Sequence, residues 1–386
     1  MAACATTFSG MTHGPHASWL PDGDTAFRHM LAAIAEARVS VRLETYIFAV
    51  GAPGDQFREA LRAAATRAVR VQVLVDGFGA KELPADYWKA VTAAGGHVRV
   101  FNPLSLDRIA IRNHRKLLVV DDHVAVVGGF NIAPEYLGDG VTRGWYDLGL
   151  ELRGPAVAAL AATFDLLFAH HGFRHPRLSR WSRTKLRRAL QAHGREAVLA
   201  TGPGLGPNRF RRRLLEDLGQ ARDVAIIAAY FVPGLRLRRA LRRVVRRGGR
   251  VQLVLAGRTD VPMVQAAGRA FYGGLLRAGV GIAEYQPQVL HAKLAIVDRA
   301  VYVGSANLDA RSFGINYEVV VRIEDARLAA EGRTLMAHVL ERAQAVERSD
   351  WLRGRTWWVR LRQWGARFLL TTVDPWLARR QLRRLV

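Results

Sequence analysis

This chain of 386 residues contains a single cysteine, Cys4. It cannot form an internal disulfide, and no cysteine cluster is available to hold a metal. A lone thiol fits a reducing compartment. Long apolar runs are missing as well. The longest, such as Val224 to Val232, have the length of a strand and fall far short of the ~20 residues that span a bilayer. The N-terminal stretch MAACATTFSGMTHGPHASWLPDGD has no charged segment followed by an apolar one, so neither a signal peptide nor a transmembrane helix is expected. Any work at a membrane would be done from its surface.

Acidic residues are scarce. The 33 Asp and Glu face 57 Lys and Arg, a formal net charge of +24. Such an excess attracts polyanions, and nucleic acid and anionic membrane surfaces are the natural candidates. Half of the residues are hydrophobic, enough to bury a sizeable core in one large domain or two average ones.

What the chain does have is an internal repeat. Ala60 to Asp76 (ALRAAATRAVRVQVLVD) reads without a gap against Ala240 to Ala256 (ALRRVVRRGGRVQLVLA). Upstream, Ala37-Arg38 and Glu44-Thr45-Tyr46 line up with Ala221-Arg222 and Ala228-Ala229-Tyr230. Within each copy, short β-branched runs such as Val39–Phe48 and Val71–Val75 alternate with helical patterns. One such pattern covers 24–37, with Asp24 or Thr25 as N-cap and Phe27, Met30, Leu31 and Ile34 on one face. This alternation predicts an α/β fold of two homologous halves, each a mostly parallel mixed sheet flanked by helices. The expected boundaries are 1–170 and 196–345, with a basic linker at 171–195 and a separate segment at 346–386. A pseudo-twofold axis between the halves would bring equivalent residues together.

Each copy ends in the same polar motif, His114-x-Lys116-x4-Asp121 in the first and His291-x-Lys293-x4-Asp298 in the second. In a strand, residues two apart share a face, so each His–Lys pair projects to one side. Asp121 and Asp298 close the strands, where a carboxylate can hold a turn. Gly128-Gly129-Phe130-Asn131 and Gly304-Ser305-Ala306-Asn307 follow. Two imidazoles, two ammoniums and two amides around one point suit a phosphate ester without a metal. One His can attack phosphorus and the other can protonate the leaving oxygen, then activate the incoming alcohol or water. A carboxylate should hold the far ring nitrogen of each. Asp147 and Glu318, downstream of His114 and His291 in their copies, are the candidates. No metal and no cofactor is expected: there is no cysteine cluster, and Lys is not a usual ligand. His123, His170, His171 and His175 are not duplicated and read as surface or linker residues.

These residues resemble the phospholipase D superfamily, whose mark is a pair of HKD motifs. The stretch from Gly304-Ser305-Ala306-Asn307-Leu308-Asp309 to Asn316-Tyr317-Glu318 is similar to the second half of bacterial cardiolipin synthases. So are Tyr230-Phe231-Val232-Pro233, Leu290-His291-Ala292-Lys293 and Glu44-Thr45-Tyr46-Ile47-Phe48. The resemblance runs from about residue 20 to 345. It implies two phospholipase D-like halves and transfer of a phosphatidyl group through a histidine, typically to the head-group glycerol of phosphatidylglycerol. It also implies His114 as nucleophile and His291 as acid and base, in a form without N-terminal membrane spans. Gly129 in the first copy faces Ser305 in the second, so the copies are not equivalent.

Residues 349–386 hold nine Arg, two Asp and five of the nine Trp, namely Trp351, Trp357, Trp358, Trp364 and Trp376. With the lipid-enzyme resemblance, this composition reads as an interfacial segment on an anionic bilayer. A peripheral place on the cytoplasmic face of the cell membrane is expected, with anionic phospholipids as partners and no obligate protein partner. A phospholipase D-type phosphodiesterase or nuclease of the same superfamily is the competing reading, since nucleic acid suits the charge, and a non-catalytic membrane scaffold is a third.

Overall fold

The computed structural model describes residues 16–104, 109–172, 190 and 195–385. Cys4, His175 and most of the expected linker lie outside these residues. The first half runs β1 (Ala17–Leu20), α1 (Gly23–Glu36), β2 (Ser40–Thr45), α2 (Gly54–Thr66), β3 (Arg70–Asp76), α3 (Lys89–Ala93), β4 (His97–Phe101), β5 (Leu117–Val120), β6 (Val124–Gly128), β7 (Gly149–Arg153) and α4 (Pro155–Ala169), with a 3-10 turn at Pro134–Tyr136 before β7. The second runs β8 (Glu196–Thr201), α5 (Arg209–Leu218), β9 (Asp223–Ala228), α6 (Leu235–Arg246), β10 (Arg250–Arg258), α7 (Pro262–Arg269), α8 (Tyr272–Leu276), β11 (Gly281–Val289), β12 (Lys293–Val297), β13 (Ala300–Gly304), α9 (Ala310–Gly314), β14 (Glu318–Glu324), α10 (Ala326–Leu340) and β15 (Ala343–Ala345). Two helices, α11 (Arg348–Arg353) and α12 (Trp357–Phe368), a π-turn at Leu369–Val373 and α13 (Asp374–Leu385) complete the chain.

The strand orders are the same in both halves. The first sheet reads β1-β7-β6-β5-β2-β3-β4 and the second β8-β14-β13-β12-β9-β10-β11, with β15 added at the edge. Parallel pairing is confined to β2-β3-β4 and β9-β10-β11. All other pairs are antiparallel. This corrects the expectation of mostly parallel sheets. The helix–strand alternation stops at β4 and β11; beyond them β5–β6 and β12–β13 are hairpins closed by tight turns, which makes these pairs antiparallel.

Local chemistry sets the elements. The cap of α1 is Asp22, whose side chain accepts from the Thr25 N–H at 2.7 Å, rather than the expected Asp24 or Thr25. Phe27, Met30 and Ile34 form the buried face of that helix. Strand residues alternate between two cores. Leu117, Val119, Leu294 and Ile296 face a central cluster built from both halves. Leu118 and Val120 face the outer core of the first half, and Ala295 and Val297 that of the second. The sheets meet where β13 packs on β6 and β7, with α4 and α10 in the same central layer.

On β2 and β9 the copies register one residue differently from the sequence alignment. Leu43 pairs with Leu118, and Ile226 pairs with Ala295 at the equivalent place of the second motif strand. Leu43 and Ile226 are therefore counterparts, and Ile47, not Tyr46, is the structural counterpart of Tyr230.

Candidate active site

The motif segments lie at the pseudo-twofold axis, and two parallel bridges join them across the halves. Asn113 bridges Tyr317, and Tyr146 bridges Leu290. The His114 N–H donates to the Tyr317 carbonyl at 3.0 Å, and the His291 N–H to the Tyr146 carbonyl at 2.8 Å. Each histidine is thereby set beside the carboxylate that follows the opposite bridge. His114 Nδ1 lies 3.1 Å from both oxygens of Glu318, and His291 Nδ1 lies 2.6 Å from Asp147 Oδ2. The candidate carboxylates are the expected ones, but they are exchanged: each orients the histidine of the other half.

Two lysines complete the centre. Lys116 Nζ donates to the His114 carbonyl at 2.7 Å. Lys293 Nζ stands 3.0 and 3.2 Å from the two ring nitrogens of His291 and also donates to its carbonyl. Lys116, Lys293 and His291 are buried, while the His114 side chain keeps 12% exposure. Burial, with the neighbouring ammonium, lowers Lys116 to about 7, and burial lowers Lys293 to about 8. Burial and Lys293 push His291 to about 3. Burial and Lys116 also lower His114, against the pull of Glu318. Burial alone would raise Glu318, but His114, Lys116 and the Ser305 hydroxyl hold it below the usual range. An ionised carboxylate thus faces a neutral imidazole, and the Nδ1 proton donates to it. The opposite nitrogen, Nε2, carries the lone pair.

The supporting residues divide. Ser305 Oγ donates to Glu318 Oε2 at 2.5 Å, and Ser312 Oγ donates to Oε1 at 2.8 Å. In the first copy Gly129 replaces Ser305 because a Cβ there would fall 2.3 Å from Asp147 Oδ1. Asn131 does not offer its amide to the centre. Its oxygen accepts from the Ile47 N–H at 3.0 Å, and its Nδ2 donates to the Tyr136 hydroxyl at 2.6 Å. Asn307 is buried beside Lys293, and its Oδ1 has no hydrogen-bond partner among the described residues.

Asp121 and Asp298 are a correction to the catalytic set. They stand at the far ends of β5 and β12, in the left-handed region at φ +53° and +51°. Asp121 accepts from the N–H groups of Arg38, Val39 and Ser40 at 2.9, 2.8 and 2.7 Å. Asp298 accepts from Arg222 and Asp223 at 3.0 and 2.9 Å. Both tie the motif strand to the start of its neighbour, and neither reaches the histidines.

A family model described as "Cardiolipin synthase, PLD-like domain" matches residues 30–167 and 214–340, one match in each half. The chain belongs to this family. Among cardiolipin synthases, the chain is 33% identical over 361 residues to cardiolipin synthase B of Salmonella typhi, covering 90% of this chain and 86% of that protein. It is 30% identical over 362 residues to the major cardiolipin synthase of Bacillus subtilis (strain 168), covering 91% and 74%. Among solved structures, phosphatidylserine synthase of Haemophilus influenzae shares the fold, with a TM-score of 0.72, 14% identity and 95% of each chain covered.

Several residues of this cardiolipin synthase family member were not singled out by the motifs. The Tyr136 hydroxyl lies 3.3 Å from His291 Nε2, and the Tyr136 and Trp145 rings pack on the same imidazole at 5.1 and 5.6 Å. The Tyr46 ring covers His114 at 5.2 Å. Behind His114, Arg115 pairs with Glu44 at 3.1 Å, and Asn113 Nδ2 donates to Glu44 at 2.6 Å. The second half places Ile227 and Ala292 at the positions of Glu44 and Arg115, an apolar pair for an ionic one. Only Tyr46 and Glu44 left a trace in the sequence, through the ETYIF segment.

Proposed function

We propose that this chain is a cardiolipin synthase-type phosphatidyltransferase, and that it moves a phosphatidyl group from one phospholipid to the head-group hydroxyl of phosphatidylglycerol. The observation that carries the reading is the crossed pairing of His114 with Glu318 and His291 with Asp147 around two buried lysines. His114 is the nucleophile: its Nε2 has no hydrogen-bond partner among the described residues, whereas Nε2 of His291 is met by Tyr136. Attack by His114 Nε2 forms the phosphorus–nitrogen bond as the phosphorus–oxygen bond to the leaving alcohol breaks. His291 gives that oxygen its proton. The diester's negative charge favours the protonated forms of His291 and both lysines, which burial disfavours in the empty site. In the second step His291 takes the proton of the acceptor hydroxyl, whose oxygen displaces His114 and returns the electron pair to Nε2. Lys116 and Lys293 hold the non-bridging oxygens as charge develops.

The chain acts at a membrane as a peripheral protein, on the cytoplasmic face. No helix among the described residues is long and apolar enough to cross a bilayer. Trp351 packs on Tyr272 and the second core, so it does not belong to an interfacial face. Trp357, Trp358 and Trp364 on α12 are 61%, 62% and 61% exposed, and Leu361 and Phe368 extend the same face. The helix that follows, α13, is anchored on α9. Asp374 of α13 binds Arg311 at 2.6 and 2.8 Å, and Ala378 packs on Ala110 and Ile315.

Incubation with phosphatidylglycerol vesicles followed by mass spectrometry of the lipids tests the activity, with His114→Ala as control. Cardiolipin and free glycerol are expected. Cleavage of single-stranded DNA with untouched lipid would replace this reading with the nuclease. Replacing Trp357, Trp358 and Trp364 with Ser should weaken sedimentation with anionic vesicles, and unchanged sedimentation would remove the membrane role of α12.

A further inference from the structure

The two halves share their catalytic groups but differ at one place beside His291. The Tyr230 hydroxyl donates to both oxygens of Asp260, at 2.8 and 2.7 Å. Its ring meets the His291 imidazole edge-on at 6.4 Å. Tyr230 follows the C-terminal end of β9, Asp260 follows that of β10, and Lys293 opens β12 beside them. Asp260 is exposed, yet its charge is felt at Lys293 and at the Tyr136 hydroxyl, so it stands at the edge of the catalytic centre. The first half has no such pair at the equivalent place. Ile47 occupies the position of Tyr230, and Ala80 that of Asp260 in the β3–β10 register.

A carboxylate here is unsuited to holding the phosphodiester, which carries the same charge. It acts on the anion only at a distance, by favouring the charged form of Lys293. What a carboxylate and a phenol oxygen accept well is the hydrogen of an alcohol. The alcohol of both steps must lie beside His291, which protonates it as it leaves and deprotonates it as it arrives. The dyad is thus on the side of the axis where a hydroxylated group sits and absent from the side of His114.

We propose that Tyr230 and Asp260 form a polyol subsite, which grips a second hydroxyl of the alcohol whose first hydroxyl reacts beside His291. This rests on the phosphatidyl-transfer reading and sharpens it. The preferred alcohol carries neighbouring hydroxyls, as a glyceryl head group does, and the same subsite serves the leaving and the arriving alcohol. Tyr230 and Asp260 are positioning residues, since the reacting proton passes only to His291.

The test is a competition. The full-length protein is given phosphatidylglycerol vesicles with fully deuterated glycerol and ethanol together; transfer to the labelled glycerol gives a heavier phosphatidylglycerol than the donor, and the ratio of this product to phosphatidylethanol is read by mass spectrometry. Wild type is expected to favour glycerol. Asp260→Asn and Tyr230→Phe should each lower the glycerol-to-ethanol ratio by about ten-fold, the loss of one hydrogen bond to a charged or polarised acceptor. Tyr230→Phe keeps the ring against His291 and decides the matter if Asp260→Asn fails to fold. A ratio within about two-fold of wild type would overturn the subsite and leave Asp260 as a prop for Tyr230. Equal loss of both products in a folded variant would also overturn it. Cardiolipin formed by the wild type with transfer to neither free alcohol would also overturn the subsite, and no transfer product of any kind, cardiolipin included, would instead defeat the phosphatidyl-transfer reading itself.

Discussion

Glu318 orients His114 from the other half of the chain, with both carboxylate oxygens 3.1 Å from Nδ1. Asp147 does the same for His291, so neither half holds a complete histidine–carboxylate pair. Neutralising either carboxylate should therefore leave a different kinetic trace. Glu318→Gln is expected to slow formation of the phosphohistidine by about 10³- to 10⁴-fold, the scale seen when the orienting carboxylate of a triad is neutralised. Asp147→Asn should slow both steps through His291 and let labelled enzyme persist. Rapid-quench experiments with labelled phosphatidylglycerol separate the two. Label on His291 instead of His114 would reverse the assigned roles.

The titration of the centre gives a pH signature. Lys116 and Lys293 are lowered to about 7 and about 8 in the free protein, so their charge is lost as pH rises through that window. The second-order rate constant should fall on the alkaline side there, well before an ordinary lysine titrates. His114 is lowered from its usual value of 6.5, so its neutral, nucleophilic form persists below that pH, and the acid limb should lie beneath that point. Binding of tungstate, an unreactive phosphate mimic, should be accompanied by proton uptake at the alkaline end of the lysine window. Calorimetry in two buffers of different ionisation heat measures this uptake, and none would mean that the lysines are charged in the empty site.

The pair Glu44–Arg115 admits a rescue test. Both side chains are buried, and Arg115→Ala leaves an unpaired carboxylate, a loss on the order of 3–5 kcal/mol. The double change Glu44→Ile with Arg115→Ala copies the second half and should recover most of that loss. Urea unfolding compares them. Additive losses in the double variant would show that the first half needs its charges.

Gly129 and Ser305 should not be interchangeable, although they are equivalent in the repeat. Gly129→Ser drives a Cβ to within 2.3 Å of Asp147 Oδ1 and displaces it from His291. Activity is expected to fall about 10²-fold or more, as a catalytic group loses its alignment. Ser305→Ala removes one hydrogen bond to Glu318 and should cost about ten-fold, roughly 1–2 kcal/mol. Comparing kcat with stability for the two variants checks the asymmetry.

Much of this is legible in the amino-acid sequence. The repeat, the two-half α/β organisation and the two His–Lys pairs follow from spacing alone, because strand periodicity and duplication are local signals. Tertiary relations were hidden. The exchange of Asp147 and Glu318 depends on bridges between segments that lie in different halves of the chain. Tyr46 and Tyr230 share an identity that drew the alignment off by one residue, while hydrogen bonding sets β2 and β9 at another register. Asp121 and Asp298 belong to the motif as much as the histidines do, yet backbone N–H groups claim them at the opposite end of the strand. Tyr136 could not be found by duplication, since Ser312 stands at its counterpart and touches the carboxylate instead.

The two parallel bridges also bear on how such a chain can change over generations. Away from the axis the copies have drifted freely: Glu44 and Arg115 in one, Ile227 and Ala292 in the other, Tyr230 with Asp260 on one side only. On the axis they are bound to a common fate. His114 is oriented by Glu318 of the other copy and His291 by Asp147, so loss of either copy would disable the histidine of its twin. Divergence is thereby left to positions off the bridges, to buried Glu44 and Arg115 as well as to Tyr230 and Asp260 at the edge of the centre.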